Sequence, residues 1–169
     1  MKCVSCTDSK VTAKCELCEE DLCKKCVQFL DPETFQYQEK LPVELTHTRY
    51  CRFCYDDKIV LAQEKYSETL EKAKQVFVFF TTQKRKPNLL KRAKKMVEIL
   101  NCPDRDMTIL KLAFLAADQG FNALVDTLVS SEKVRNEGYQ KSQWQGKGLP
   151  ATVDSDKLDR EDFRENFFG

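Results

Sequence analysis

The chain has 169 residues, of which 41% are hydrophobic and 33% charged, with nine cysteines, five glycines and a single histidine. That length supports one core of moderate size plus a small satellite domain that needs a metal or disulfides to hold it. A net charge of +1 excludes a global field that would recruit nucleic acid or membrane, and the most apolar run, VFVFF, is far too short to span a bilayer.

The N-terminus, MKCVSCTDSK, lacks the apolar run of a signal peptide. A cytoplasmic protein is expected, and in a reducing setting its cysteines bind metal rather than form disulfides. Charge is uneven along the chain. Residues 1–60 carry 9 Lys/Arg against 11 Asp/Glu, residues 61–100 carry 10 against 4, and residues 101–169 carry 9 against 12.

The first 54 residues hold four Cys-x-x-Cys pairs: Cys3/Cys6, Cys15/Cys18, Cys23/Cys26 and Cys51/Cys54. This spacing lets a tight turn aim both sulfurs at one tetrahedral ion, and two such knuckles complete a four-cysteine structural zinc site. Four knuckles therefore predict two zinc ions. A single pair would equally suit a redox dithiol, but four so close together favour metal. Pairing knuckles two and three on one ion leaves only EEDL to turn the chain, and sequential pairing would give two independent ribbons. Interleaving joins first with third and second with fourth. It gives the four-residue gap a purpose, because a short hairpin then sends adjacent knuckles to opposite sites, and the spacing favours it.

Four cysteine pairs with this gap, followed by TRYCRFCYDD, resemble a FYVE-type cross-brace (treble-clef) zinc finger over residues 1 to about 60. Arg49-Tyr50-Cys51 and Cys54-Tyr55 match the setting of that family's last pair. The resemblance implies one zinc on Cys3, Cys6, Cys23 and Cys26, and a second on Cys15, Cys18, Cys51 and Cys54. It also raises phosphoinositide recognition at a membrane, from which this chain departs. Where the family carries a basic, histidine-containing segment, Val11, Thr12, Ala13, Lys14, Cys15 and Glu16 stand here, and only Met1 and Lys2 precede Cys3. Lys14 and Arg49 are the basic residues left for such a ligand. With two zincs on eight thiolates the finger's charge falls to about −6, which an anionic lipid surface repels. A RING-like ubiquitin ligase is the other cross-brace alternative. RING fingers usually place a histidine among the middle ligands, whereas His47 lies outside the knuckles and reads as a packing or surface residue.

From Asp56 the pattern turns helical. Ile59, Ala62, Tyr66, Thr69, Ala73 and Val76 recur at three- and four-residue steps, predicting a linking helix that packs on its own C-terminal domain or forms a dimer seam. Val76–Thr82 is β-branched and aromatic, as in a buried strand. Pro87 suits a helix start, and Leu89, Leu90, Ala93, Met96, Val97 and Leu100 mark one face of a predicted helix ending near Asn101. Lys84, Arg85, Lys86, Lys91, Arg92, Lys94 and Lys95 concentrate basic charge here. Nucleic acid or an acidic partner could dock on them, although four fall on the polar face of that helix and no aromatic residue interleaves for base stacking. Cys102 stands alone and reads as a small buried residue.

Asp106 is the expected N-cap of MTILKLAFLAADQ, with Gly120 just past its end. NALVDTLVSSEKV, the turn RNEG and YQKSQWQGKGLPATV then predict a hairpin. Ala116, Gly120 and Ala123, with Gly148, Ala151 and Val153, are similar to the pattern of the bacterial family of small heavy-metal-binding domains, whose members often assemble as rings. No Cys/His cluster accompanies the pattern here. The expected fold class is α+β: a FYVE-like double-zinc finger over 1–58, a linking helix over 59–75, a small α/β domain over 76–153 with a short sheet covered by helices, and an acidic, Phe-containing tail over 154–169. The expected function is non-catalytic, a zinc-stabilised module for a protein partner. No nucleophile–base arrangement or phosphate loop points to an enzyme.

Overall fold

A computed structural model describes residues 1–83, 87–154 and 156. The chain divides into two units, Met1–Glu68 and Thr69–Gly169. The acidic tail expected over 154–169 falls almost wholly outside the described residues, as do Lys84, Arg85 and Lys86.

The first unit has very little regular structure. Strands β1 (Ala13–Lys14) and β2 (Asp21–Leu22) pair antiparallel, and so do β3 (Gln28–Phe29) and β4 (Arg49–Tyr50). Each strand is two residues long, too short to stand without support. The chain then enters a helical stretch formed by α1 (Arg52–Cys54), a π-helical segment (Tyr55–Val60) and α2 (Leu61–Lys74). Ile59 is fully buried and Ala62 and Tyr66 pack on the same small core, so the first half of the stripe serves the finger rather than the C-terminal domain that the sequence suggested. Leu22, Leu30, Phe35, Leu45 and Tyr50 complete the core with four of the cysteines. Tyr50 is buried with its hydroxyl satisfied: it donates to the Glu44 carbonyl at 2.7 Å and accepts from the His47 N–H at 3.1 Å.

The second unit is built on a five-stranded sheet. Its strands are β5 (Phe77–Phe80), β6 (Leu89–Arg92), β7 (Val97–Cys102), β8 (Ala123–Asn136) and β9 (Tyr139–Val153). β5 lies parallel to β8, and β8 and β9 form the long antiparallel hairpin expected from their sequence, turning at Glu137–Gly138, where Gly138 has φ 87°. On its other side β9 pairs with β6 through residues 151–153 and with β7 through residues 144–148.

Helix α3 (Arg105–Asp118) packs on this sheet. At Gly146 a Cβ would fall 2.8 Å from Thr108 Cγ2 and 2.9 Å from Leu112 Cδ1, so the absence of a side chain there sets how closely α3 approaches. The helix ends in a Schellman motif: Gly120, at φ 84°, donates to the Ala117 carbonyl and Phe121 to the Ala116 carbonyl.

Two sequence expectations are corrected. Residues 89–101 are not a helix but β6 and β7. The apolar stripe read at helical spacing leaves Leu90, Met96 and Leu100 exposed, while Val97 and Ile99 alternate with exposed neighbours at strand period. The free side of the long strand β9 offers backbone hydrogen bonds along its length, and pairing with it outweighs a weak helical preference. The basic residues of this segment therefore sit on β6 and the bend that follows it rather than on a helix face. Second, the N-cap of α3 is Asp104, not Asp106. Asp104 has extended backbone (φ −147°, ψ 167°) and accepts the Met107 N–H at 2.7 Å, while Asp106 lies in the first turn. Cys102 is buried, as expected of a small core residue.

Candidate metal centres

Each cysteine pair belongs to the same local turn. The carbonyl of the first cysteine accepts the N–H of the fifth residue, as Thr7 to Cys3, Glu19 to Cys15, Val27 to Cys23 and Tyr55 to Cys51. In the first two knuckles that fifth residue is left-handed, with φ 62° at both Thr7 and Glu19. The fourth knuckle is also a helix start: Cys51 is the N-cap of α1, and its sulfur accepts the Cys54 N–H at 3.3 Å. The β1–β2 hairpin carries knuckle two in its turn and delivers knuckle three at its far end. The β3–β4 pair joins the exit of knuckle three to the start of knuckle four.

These turns bring the sulfurs into two groups, Cys3, Cys6, Cys23 and Cys26, and Cys15, Cys18, Cys51 and Cys54. Within each group all four sulfurs lie within 4.8 Å of one another. This is the interleaved arrangement, with the EEDL gap separating knuckles that face different groups. All nine cysteines are free thiols. Cys6 and Cys23 sulfurs are 3.5 Å apart and Cys18 and Cys51 sulfurs 3.8 Å, too long for disulfide bonds. A tetrahedral ion with metal–sulfur bonds of about 2.3 Å puts its sulfurs about 3.8 Å apart, so both groups fit one.

The electrostatics of the groups point the same way. Burial works to raise the Cys3 thiol, but the backbone N–H groups of Cys23, Ser5 and Cys6 oppose it and hold it at about 6. Burial likewise opposes ionisation of Cys15, and the N–H groups of Cys18, Cys51 and Leu17 hold that thiol at about 7. Two others are raised by neighbouring sulfurs. Cys26 is pushed up to about 12, first by the sulfurs of Cys6 and Cys23, and Cys54 is pushed up by burial and then by Cys51, Cys18 and Cys15. Four thiolates cannot coexist in either group without a cation among them. Among the described residues no other cluster of this kind is found.

The other candidate residues fall as follows. Arg49 Nε donates to Glu16 Oε1 at 2.9 Å, and Lys14 Nζ lies 3.9 Å from Asp21 Oδ1, so both cations flanking the second group have acidic neighbours. His47 belongs to neither group; its Nδ1 lies 3.9 Å from Glu16 Oε2, and its ring packs edge-on to Tyr50. Lys91, Arg92, Lys94 and Lys95 are exposed in the second unit.

Glu16 has a part at the second group that the sequence does not foretell. Read from the sequence, it is only an acid where a base was expected. In the structure it sits between Cys15 and Cys18 and accepts the Thr48 N–H at 2.8 Å together with the Arg49 side chain, while its own N–H bonds the Arg49 carbonyl at 3.0 Å. It thereby ties knuckle two to the strand that delivers Cys51. The Thr48 N–H, then the Arg49 guanidinium, hold its carboxyl below the ordinary value. The signal was the pairing of an inserted acid with Arg49, visible only once β4 is placed beside the knuckle.

No known protein family, curated protein or solved structure matches this chain. Among the described residues, no helix is long and apolar enough to cross a membrane.

Proposed function

We propose that the first unit is a double-zinc finger of FYVE-like cross-brace layout and that the protein works without catalysis, as a scaffold for a protein partner. The observation that carries the reading is the pair of four-cysteine groups, each able to surround one ion. Soft thiolate donors in tetrahedral array suit zinc, and four protein ligands leave no open position for water or substrate. When bound, each zinc supplies folding energy, and the chain's residues supply the knuckle turns, the N–H donors that favour thiolates and the Glu16 clamp between Cys15 and Cys51.

Phosphoinositide recruitment is the rival reading of the same finger. The engagement of Arg49 by Glu16 and the position of Asp21 beside Lys14 weigh against a free cationic pocket there. A RING-like ligase has no specific observation in its favour. Metal analysis of purified protein tests the foundation: two zinc ions per chain are expected, and one ion or none would overturn the reading. A pull-down comparing the intact chain with Cys15→Ser/Cys18→Ser tests the role, with partners lost from the variant. Undiminished capture would remove the finger from the interaction.

A further inference from the structure

Strands β6 and β7 form one edge of the sheet. Each pairs with β9 on one side, and among the described residues neither has a strand on the other. Such an edge is a row of backbone donors and acceptors ready to pair with another strand. Its side chains are exposed along β6 and at Lys94, Lys95 and Met96 in the bend, including Leu90 at 69% and Met96 at 46%. Lys91, Arg92, Lys94 and Lys95 rise from the same stretch, and none has an ion-pair partner among the described residues. A cavity of about 210 Å³ opens on the sheet face next to β6 and reaches across β9: Pro87 and Leu89 line it on the β6 side, Val125 of β8 and Phe79 and Phe80 of β5 on the other, with Arg92 and the already partnered Asp126 alongside. That volume holds one large apolar or aromatic side chain.

We propose that the β6–β7 edge is a docking site for an extended, acidic segment of a partner protein, which adds as a strand and places one large apolar side chain in the cavity. Backbone pairing along the edge supplies affinity that does not depend on sequence, and alternate side chains supply the choice of partner. The four cations, unpaired among the described residues, select acidic residues in the incoming strand. A second copy of this edge carries the same four positive charges and is repelled. A nucleic acid would find no exposed aromatic residue on the edge to stack on and nothing to fill the apolar cavity.

The test uses the full zinc-loaded chain and a fluorescent synthetic peptide of alternating glutamate and valine with one central phenylalanine. Saturable binding is expected, weakening as salt is raised. Reversing Lys91, Arg92, Lys94 and Lys95 to glutamate, with the fold checked by circular dichroism, should lower affinity by at least roughly tenfold. A peptide N-methylated at alternate backbone positions keeps every charge but lacks the donors, and it should lose binding without any change to the protein. Equal binding of the N-methylated peptide, or of the charge-reversed protein, would sink the proposal. So would equal binding of a single-stranded oligonucleotide, salt-resistant self-association, or binding that appears only after residues 157–169 are removed, which would assign the edge to the chain's own acidic end.

Discussion

The two units solve the same problem by opposite means. In the first, four strands of two residues and a small core surround two clusters of sulfur, and the knuckle turns carry most of the order. In the second, strands of up to 15 residues and a buried helix face hold the fold with no metal-ligating cluster among the described residues. The difference teaches where stability can come from when a chain segment is short. About 60 residues bury too little to fold comfortably alone, whereas a longer strand pairing with a packed helix can.

The sharpest way to break this comparison is to remove the metal. Chelation should unfold the first unit, since a structural four-thiolate zinc site contributes on the order of 10 kcal/mol of folding free energy at neutral pH. Hydrogen exchange followed by mass spectrometry should then show protection lost through residues 1–60 and retained in β8, β9 and α3. Loss of protection in both units alike would show that the second depends on the finger.

A core truncation should act in the opposite sense. Leu112 is fully buried on α3 and meets the sheet at Gly146. Leu112→Ala is expected to destabilise the second unit by about 2–5 kcal/mol, read from urea unfolding, while zinc stoichiometry stays the same. A drop in zinc content would couple two units that the comparison treats as separately stabilised.

The smallest effect expected is at Glu16, inside the finger but outside the sulfur clusters. Glu16→Gln removes a charge-assisted clamp and should cost about 1 kcal/mol at neutral pH. Because folding depresses the Glu16 pKa, first through the Thr48 N–H and then through Arg49, its contribution is fully present above the ordinary value of 4.5 and is lost as pH falls through the lower folded value. The gap in stability between the two zinc-loaded proteins should therefore be constant near neutrality and close in acid. A gap that persists below that range would assign the loss to packing rather than to charge.

Much of this was legible in the residues, for reasons that differ between the units. Cysteine spacing is a local constraint: two residues between thiols define the knuckle, and the four-residue EEDL gap favours sending neighbouring knuckles to different sites. The long hairpin was equally readable, since Gly138 permits the turn and its flanks alternate as strands do. Residues 89–101 were not. Leu89, Ala93, Met96 and Leu100 recur at a spacing that suits a helix, and nothing in the segment itself announces the free side of β9.

The sequence by itself thus determined which atoms can bind metal, how the knuckles turn, and where the hairpin bends, because each of these rests on bonds between near neighbours. Tertiary structure alone decided that a basic, apolar segment would become a strand edge, that Gly146 would seat a helix, and that Glu16 would tie one knuckle to the strand leading into another. Each of those depends on a partner distant in the chain, and a pairing between distant residues leaves no local period by which to foresee it.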